Sequence, residues 1–263
     1  MIKFEACAMS DAGKIRDNNE DNFYVNGKYK SDTHLNYYSY KDDKKRKFYL
    51  YAVCDGMGGE SYGELASLIS VKALDNYYNK DFNLNINDYI NFANDIICDE
   101  IRKNNGTGIG TTFAALYINN DKAYIYNIGD TRVYLFRNNT LTQLSKDHTQ
   151  AQSLVDMGII KPEDMNLHKG KHKLTQHLGI FNDEIILQPN IVDEFDILPD
   201  DTFILCSDGI TDMLSDTEIC DTIKFFTYPE EIVQNLLRKA NEKGGKDNST
   251  VIVVKAKKRK LFI

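Results

Sequence analysis

Cysteine, long apolar runs and positive charge are all in short supply in this 263-residue chain. Its five cysteines, Cys7, Cys54, Cys98, Cys206 and Cys220, are odd in number, widely spaced and never arranged as CxxC. That argues against a disulfide framework and a zinc site and predicts reduced core residues. No apolar run approaches the roughly 18 residues that a membrane-spanning helix needs, and the opening MIKFEACAMSDAGK is too interrupted by acidic and polar residues for a signal peptide. The expectation is a cytoplasmic protein. Basic residues number 32 against 39 acidic ones, a net charge of −7, so the excess of Lys and Arg that general nucleic-acid binding requires is missing. No linker, repeat or low-complexity segment stands out. What is present, 42% hydrophobic and 27% charged residues, excludes wholesale disorder and fits a single domain over 1–263.

Along the chain, residues 2–9 form an apolar stretch and 23–25 resume a strand-like pattern. Residues 26–47 are polar, tyrosine-rich and lysine-rich, and read as a hairpin loop or insertion. The continuous apolar run FYLYAVC at 48–54 has strand length and ends abruptly in Asp55-Gly56. Apolar residues then recur at helix spacing from Ser61 through Leu65, Leu68, Ile69 and Leu74, and again through Tyr89, Ile90, Ala93, Ile96, Ile97 and Ile101. Three short strands at 113–118, 122–128 and 132–136 read as an antiparallel meander, residues 147–158 as a helix, and 185–192 and 202–206 as strands. Ser215 with Glu218 matches a capping box, Ile232, Val233, Leu236, Leu237 and Ala240 mark a further helix, and a strand at 250–254 precedes a basic tail, KAKKRK. Helices grouped in two pairs, 61–103 and 215–243, among more numerous strands predict an α+β layered domain of sheets covered by helical hairpins.

Asp21, Asp55, Asp208 and Asp247 each stand at the tip of a buried-looking strand. A single Asp-Gly is ordinarily just a turn, but four such aspartates can crowd carboxylates at one end of a core. Crowded carboxylates repel until some take up protons or a divalent cation joins them. An all-oxygen ligand set favours Mg²⁺ or Mn²⁺ over zinc. Arg16 lies on the turn entering the first of these strands. A guanidinium there either pairs with a neighbouring carboxylate at the surface or holds two oxygens of a phosphoryl group in a fork. Together the parts describe metal-assisted hydrolysis of a phosphate ester, with two ions activating a water and clamping the phosphoryl oxygens.

Seven segments, RDNNED (16–21), VCDGMGGESYGELAS (53–67), GTGIGTTFAAL (106–116), NIGDTRVYLF (127–136), SKDHT (145–149), LCSDGITD (205–212) and GGKDNSTVIVV (244–254), resemble in order the motifs of the metal-dependent, type 2C serine/threonine protein phosphatases, bacterial type. The resemblance implies a four-layer α-β-β-α sandwich, two antiparallel sheets flanked by pairs of helices. It implies a centre for two ions, Mn²⁺ or Mg²⁺, with Asp55 bridging them and Gly56 offering a backbone carbonyl. Asp208 and Asp247 resemble the remaining ligands of one ion, Asp21 and Glu20 the acidic pair near the other, and Arg16 the phosphate-binding arginine. Asp130 matches the position that helps hold a third, weaker ion in bacterial members, or is simply a turn aspartate.

The activity implied is hydrolysis of phosphoserine and phosphothreonine by a metal-activated water, without a phosphoenzyme. Implied partners are phosphoproteins, among them substrates of a bacterial-type serine/threonine kinase and that kinase, for a monomeric chain. A pseudophosphatase that binds without turnover, and a metal-dependent nuclease, are the alternatives. The chain departs from many eukaryotic members in having Met57 where they place a histidine proposed as general acid. His148 reads as structural. Residues 145–179 resemble the family's flap, but carry His168-Lys169-Gly170-Lys171-His172 where HPxxN is frequent. The added basic residues either favour acidic substrates or are solvated surface. The ending KAKKRKLFI is either a solubilising tail or a membrane-surface patch.

Overall fold

Period-2 and period-3.6 patterns in the sequence become two sheets and their covering helices in the computed structural model, which describes residues 2–58, 62–79, 81–104 and 108–258. The first half of the chain contributes β1 (Ile2–Asp11), β2 (Asn22–Val25), β3 (Lys28–Tyr29), β4 (Tyr37–Asp42), β5 (Phe48–Cys54) and β6 (Gly56–Gly58), then helices α1 (Gly63–Tyr77) and α2 (Ile86–Lys103). Next come β7 (Ile109–Thr111), β8 (Phe113–Asn119), β9 (Lys122–Ile128), β10 (Arg132–Arg137) and β11 (Thr140–Gln143). The remainder holds α3 (Gln150–Asp156), β12 (Asn190–Asp196), β13 (Thr202–Cys206), α4 (Asp208–Thr211), α5 (Asp216–Phe225), α6 (Pro229–Glu242) and β14 (Ser249–Lys258).

One six-stranded sheet runs β11-β10-β13-β14-β1-β4 and the other β12-β9-β8-β5-β2-β3, with β6 and β7 pairing beside them. Every strand pair is antiparallel. The apolar run of β5 is continuous because both of its faces are covered. Tyr49, Tyr51 and Val53 enter the core between the sheets, while Leu50, Ala52 and Cys54 meet the α1–α2 layer. In the other sheet, Phe4, Ala6 and Ala8 of β1 face the inter-sheet core and Cys7 and Met9 face the α5–α6 layer. The layers are therefore α-β-β-α, and α5 begins with the expected capping box between Ser215 and Glu218.

Several expected elements differ. The strand at 132–136 does not complete a meander: β8 and β9 pair, but β10 pairs with β13 in the opposite sheet. Val133 and Leu135 face the inter-sheet core and Tyr134 the outer helices, a pattern that either sheet could use. Residues 26–47 contain the edge strand β4, whose Tyr38 and Tyr40 pack on the inter-sheet core while its outward face stays polar, as edges often do. The strand expected at 185–192 starts only at Asn190, and β14 continues beyond Val254 to Lys258, so four of the six residues of KAKKRK are sheet. Residues 259–263 of that tail, Ser61 of the first helix, and residues 59–61 and 106–107 of the quoted motifs lie outside the described residues. Cys7, Cys54, Cys98 and Cys206 are free and buried as expected, whereas Cys220 is only partly covered. Among the described residues no helix is long and apolar enough to cross a membrane.

Candidate metal centre

Antiparallel register gathers the strand tips at one end of the sandwich. Asn22 pairs with Cys54, which sets Asp21 beside Asp55 in one sheet, and Cys206 pairs with Val251, which sets Asp208 near Asp247 in the other. Asp130 joins them from the crossover between β9 and β10. A cavity of about 410 Å³ is lined by Arg16, Glu20, Asp55, Gly56, Asp130, Asp208 and Asp247, along with Met57, His172 and His177. Asp21 is the exception among the expected residues: it lies behind the cavity wall, 1% exposed.

Hydrogen bonds fix Asp55 and Glu20 by the backbone and Asp21 by its side chain. The Asp55 N–H donates to Thr112 Oγ1 at 2.9 Å, and its carbonyl accepts from Thr112 N and Thr111 Oγ1, both at 2.9 Å. Ser207 Oγ donates to Asp21 Oδ2 at 2.7 Å and accepts from Thr250 N at 2.9 Å, tying the two sheets together beneath the cavity. Asn248 holds the 12–20 loop, accepting from Glu20 N at 2.8 Å and donating to Ala12 O and Asn18 O at 3.0 and 2.8 Å. The glycines after Asp55 and Asp208 are steric necessities. A Cβ on Gly56 would strike the carbonyl oxygens of Gly63 and Glu20, and one on Gly209 the carbonyl oxygen of Asn248.

Burial is the main force raising the carboxyls of Asp55 and Asp208 well above the ordinary range, and neighbouring aspartates add to it. Burial also lifts Asp21 to about 6, against the Ser207 hydrogen bond, and Asp130 to about 7 with help from Asp147. Among the described residues, Asp21 Oδ1 is buried with no hydrogen-bond partner. An orphaned carboxylate oxygen, mutual repulsion and an all-oxygen donor set are what a hard divalent cation would relieve. The residues present therefore fit such an ion. Arg16 Nη2 donates to Asp247 Oδ2 at 2.7 Å, with about half of the arginine side chain exposed at the cavity rim.

Both ring nitrogens of His148 are engaged within the fold: Nδ1 accepts from Gly129 N at 3.2 Å, Nε2 lies 3.0 Å from Asn190 Nδ2, and burial lowers its pKa. The 2C protein phosphatase family model matches residues 13–154 and 168–249, most of the chain. The chain belongs to the protein phosphatase 2C family. Over 257 residues it is 33% identical to the serine/threonine phosphatase stp of Listeria welshimeri, covering 93% of each chain. It superposes on the serine/threonine phosphatase PstP/Ppp of Mycobacterium tuberculosis with a TM-score of 0.81 at 29% identity, covering 97% of this chain and 100% of that one. A structure of the PstP catalytic domain in complex with 2 manganese ions gives a TM-score of 0.78 at 29% identity, covering 98% and 100%.

Some residues of this 2C site were not singled out from the sequence. Asp212 follows Asp208 by four residues, and its N–H donates to Asp208 O at 2.8 Å, so both carboxylates leave one face of the α4 turn. That spacing was readable in SDGITD. His172, read in the sequence only as part of the flap's basic run, and His177 arrive from the 145–179 segment, and Ser207 and Asn248 act through partners far away in sequence.

Proposed function

We propose that this member of the 2C family is a divalent-cation-dependent phosphatase of phosphoserine and phosphothreonine proteins. One observation carries the reading: Asp55, Asp208 and Asp247, with Glu20 and Asp130, face one cavity that has an arginine at its rim. The names of the relatives support the phosphoprotein substrates, and the manganese-bearing neighbour supports Mn²⁺, with Mg²⁺ as the other candidate. In this reading Asp55 and the Gly56 carbonyl would hold two ions, with Asp208 and Asp247 on one, Glu20 and Asp21 near the other, and Asp130 at a third position.

Bound, the ions supply Lewis acidity, an activated water and neutralisation of phosphoryl charge. The chain's own residues do the rest. Arg16 exchanges Asp247 for phosphoryl oxygens and orients them with its planar fork. Asp55 and Asp208, half-buried beside the cavity, hold charge where water could not supply it without reorganising. Met57 lines the same cavity and carries no proton for the leaving group. No covalent phosphoenzyme is part of this reading. It extends to one catalytic domain over 1–263 with a flap at about 145–179, and to a monomeric, cytoplasmic chain. Its partners would be the substrates of a bacterial-type serine/threonine kinase and the kinase itself. The complete carboxylate set argues against a binding-only role, and the acidic chain against a nuclease.

The test compares the parent with Asp208→Asn on a phosphothreonine peptide, an aryl phosphate and a nucleic acid. Mn²⁺-dependent hydrolysis of the first two, lost in the variant, is expected. Retention by the variant, or cleavage of nucleic acid alone, overturns the reading.

A further inference from the structure

Hydrolysis of a seryl or threonyl phosphate expels a strongly basic alkoxide, which needs a proton as its bond to phosphorus breaks. Most groups lining the metal cavity have none to give. The carboxylates are the ligand candidates, Arg16 does not deprotonate, and Thr112 Oγ1 is taken up by Asp55 N and Thr131 Oγ1. Met57 carries no proton. His172 and His177 remain.

His172 belongs with the carboxylates. Its Nε2 lies 3.4 Å from Asp212 Oδ2 and its Nδ1 3.8 Å from Asp208 Oδ2, and Asp130, His172 and Asp208 bring ligand atoms within 4.8 Å of one another. Lys171 beside it donates to Asp212 Oδ1 at 3.1 Å, so this part of the basic run is occupied with the chain's own aspartates. His177 makes no such pair among the described residues. Its position is fixed by Leu178, whose backbone N–H and carbonyl bond Thr111 at 2.9 and 3.0 Å. His177 Nδ1 lies 2.9 Å from Leu178 O. A carbonyl oxygen only accepts, so Nδ1 carries the hydrogen and Nε2 is the nitrogen free to gain or lose a proton.

A glycine sets the ring beside Met57. Met57 and Gly110 are directly paired between β6 and β7. Side chains at directly paired antiparallel positions share a face, about 4.5 to 5.5 Å apart at Cβ. A Cβ on Gly110 would come within 2.5 Å of His177 Nδ1 and 2.9 Å of its Cε1. The imidazole therefore fills the space that Gly110 leaves, on the face of the pair that Met57 shares.

We propose that His177 is the leaving-group acid of this site, with Nε2–H protonating the seryl or threonyl oxygen as the ester bond breaks. In this step the bond from phosphorus to the side-chain oxygen breaks, a bond from phosphorus to the attacking water's oxygen forms, and the alcohol departs with the His177 proton. One proton of the water stays on the released phosphate and the other returns to Nε2 through solvent. Burial holds the imidazole below its ordinary pKa of 6.5, which makes the imidazolium a stronger acid, while the Leu178 carbonyl favours the charged ring. A phosphoryl dianion entering the cavity favours it further. The proposal rests on the phosphatase reading above and names its proton donor.

Dependence on the leaving group tests it. The phenolate of p-nitrophenyl phosphate leaves with little help, whereas the alkoxide of phosphothreonine does not. His177→Asn keeps a donor near Nδ1 for Leu178 O but offers no transferable proton, and His177→Gln is its companion. In both, kcat/KM on a phosphothreonine peptide relative to p-nitrophenyl phosphate should fall by about 100-fold or more. A parallel loss on both substrates, or no loss on the peptide, overturns the proposal. The parent alone gives a second measurement: across alkyl and aryl phosphates its kcat/KM should change only shallowly with leaving-group basicity, and a steep decline overturns the proposal as well. These outcomes leave the phosphatase reading standing. A parent that hydrolyses neither substrate in Mn²⁺ sinks that reading, and His177's role with it.

Discussion

Arg16 is held by Asp247 in this structure, yet half of its side chain stays exposed, so the contact can be traded for a phosphoryl group. Arg16→Ala should lower kcat/KM on a phosphopeptide by roughly 10- to 100-fold, the equivalent of about 1.5 to 3 kcal/mol for hydrogen bonds to a charged group. Arg16→Lys should recover only part, because an ammonium cannot form the fork. Unchanged kinetics in the alanine variant would remove Arg16 from the site. Asn248 is a positioning residue of a different kind. Buried and bonded to Glu20, Ala12 and Asn18, it should cost about 1 to 3 kcal/mol when replaced by alanine, through the backbone groups left unpaired. Chemical denaturation measures that loss, and Mn²⁺ affinity should weaken with it. The aspartates were legible because Asp-Gly against a strand end is a local signal. Ser207 and Asn248 were not, since a serine or an asparagine shows its role only when its partner arrives, in one case 186 residues away.

Among the elements, the start of α5 was legible to the residue. Ser215 Oγ accepts from the Glu218 N–H, and the Glu218 carboxylate accepts in return from the Ser215 N–H. Lys243, and then Ser215, hold the Glu218 carboxyl down at about 2. A lowered carboxyl contributes stability above its ordinary value of 4.5 and loses it as pH falls through about 2. Ser215→Ala should cost about 1 kcal/mol and lower Tm by about 2 to 4 °C, as scanning calorimetry would show; no change would mean the cap is redundant with the α5–α6 packing. The strand β10 was legible as a strand but not as a member of its sheet. Val133 and Leu135 face one core and Tyr134 another, so its pattern suits either sheet, and the chain crosses to it through Gly129, whose φ of +96° and nearness to Thr112 leave no room for a side chain.

Across the whole molecule, burying several carboxyls at one end of the sandwich stores a pH-dependent penalty. Without metal, the Asp21 and Asp130 carboxyls lie at about 6 and about 7, above their ordinary 3.8. Below that ordinary value both the folded and unfolded states carry the protons. As pH rises through the raised values the folded state must ionise buried groups, so stability is lost. In chelator, Tm should therefore fall between pH 5 and pH 8, and Mn²⁺ should offset the fall. At about 100 times its dissociation constant an ion adds about 2.7 kcal/mol, or about 5 to 10 °C in a chain of this size. A metal-free Tm that is flat or rising over that range would contradict the electrostatics described for the site.

The net charge of −7, the strand-tip aspartates, the paired helices and the seven ordered motifs were settled by the sequence alone, because each is local or compositional. Sheet membership of β10 and β4, the placement of Asp21 behind the cavity wall, and the meeting of Lys171 with Asp212 were decided only in three dimensions. The physical reason is common to them: a strand whose apolar side suits either sheet, or a charged side chain able to pair with any opposite charge, has no preference until the antiparallel register chooses its neighbours.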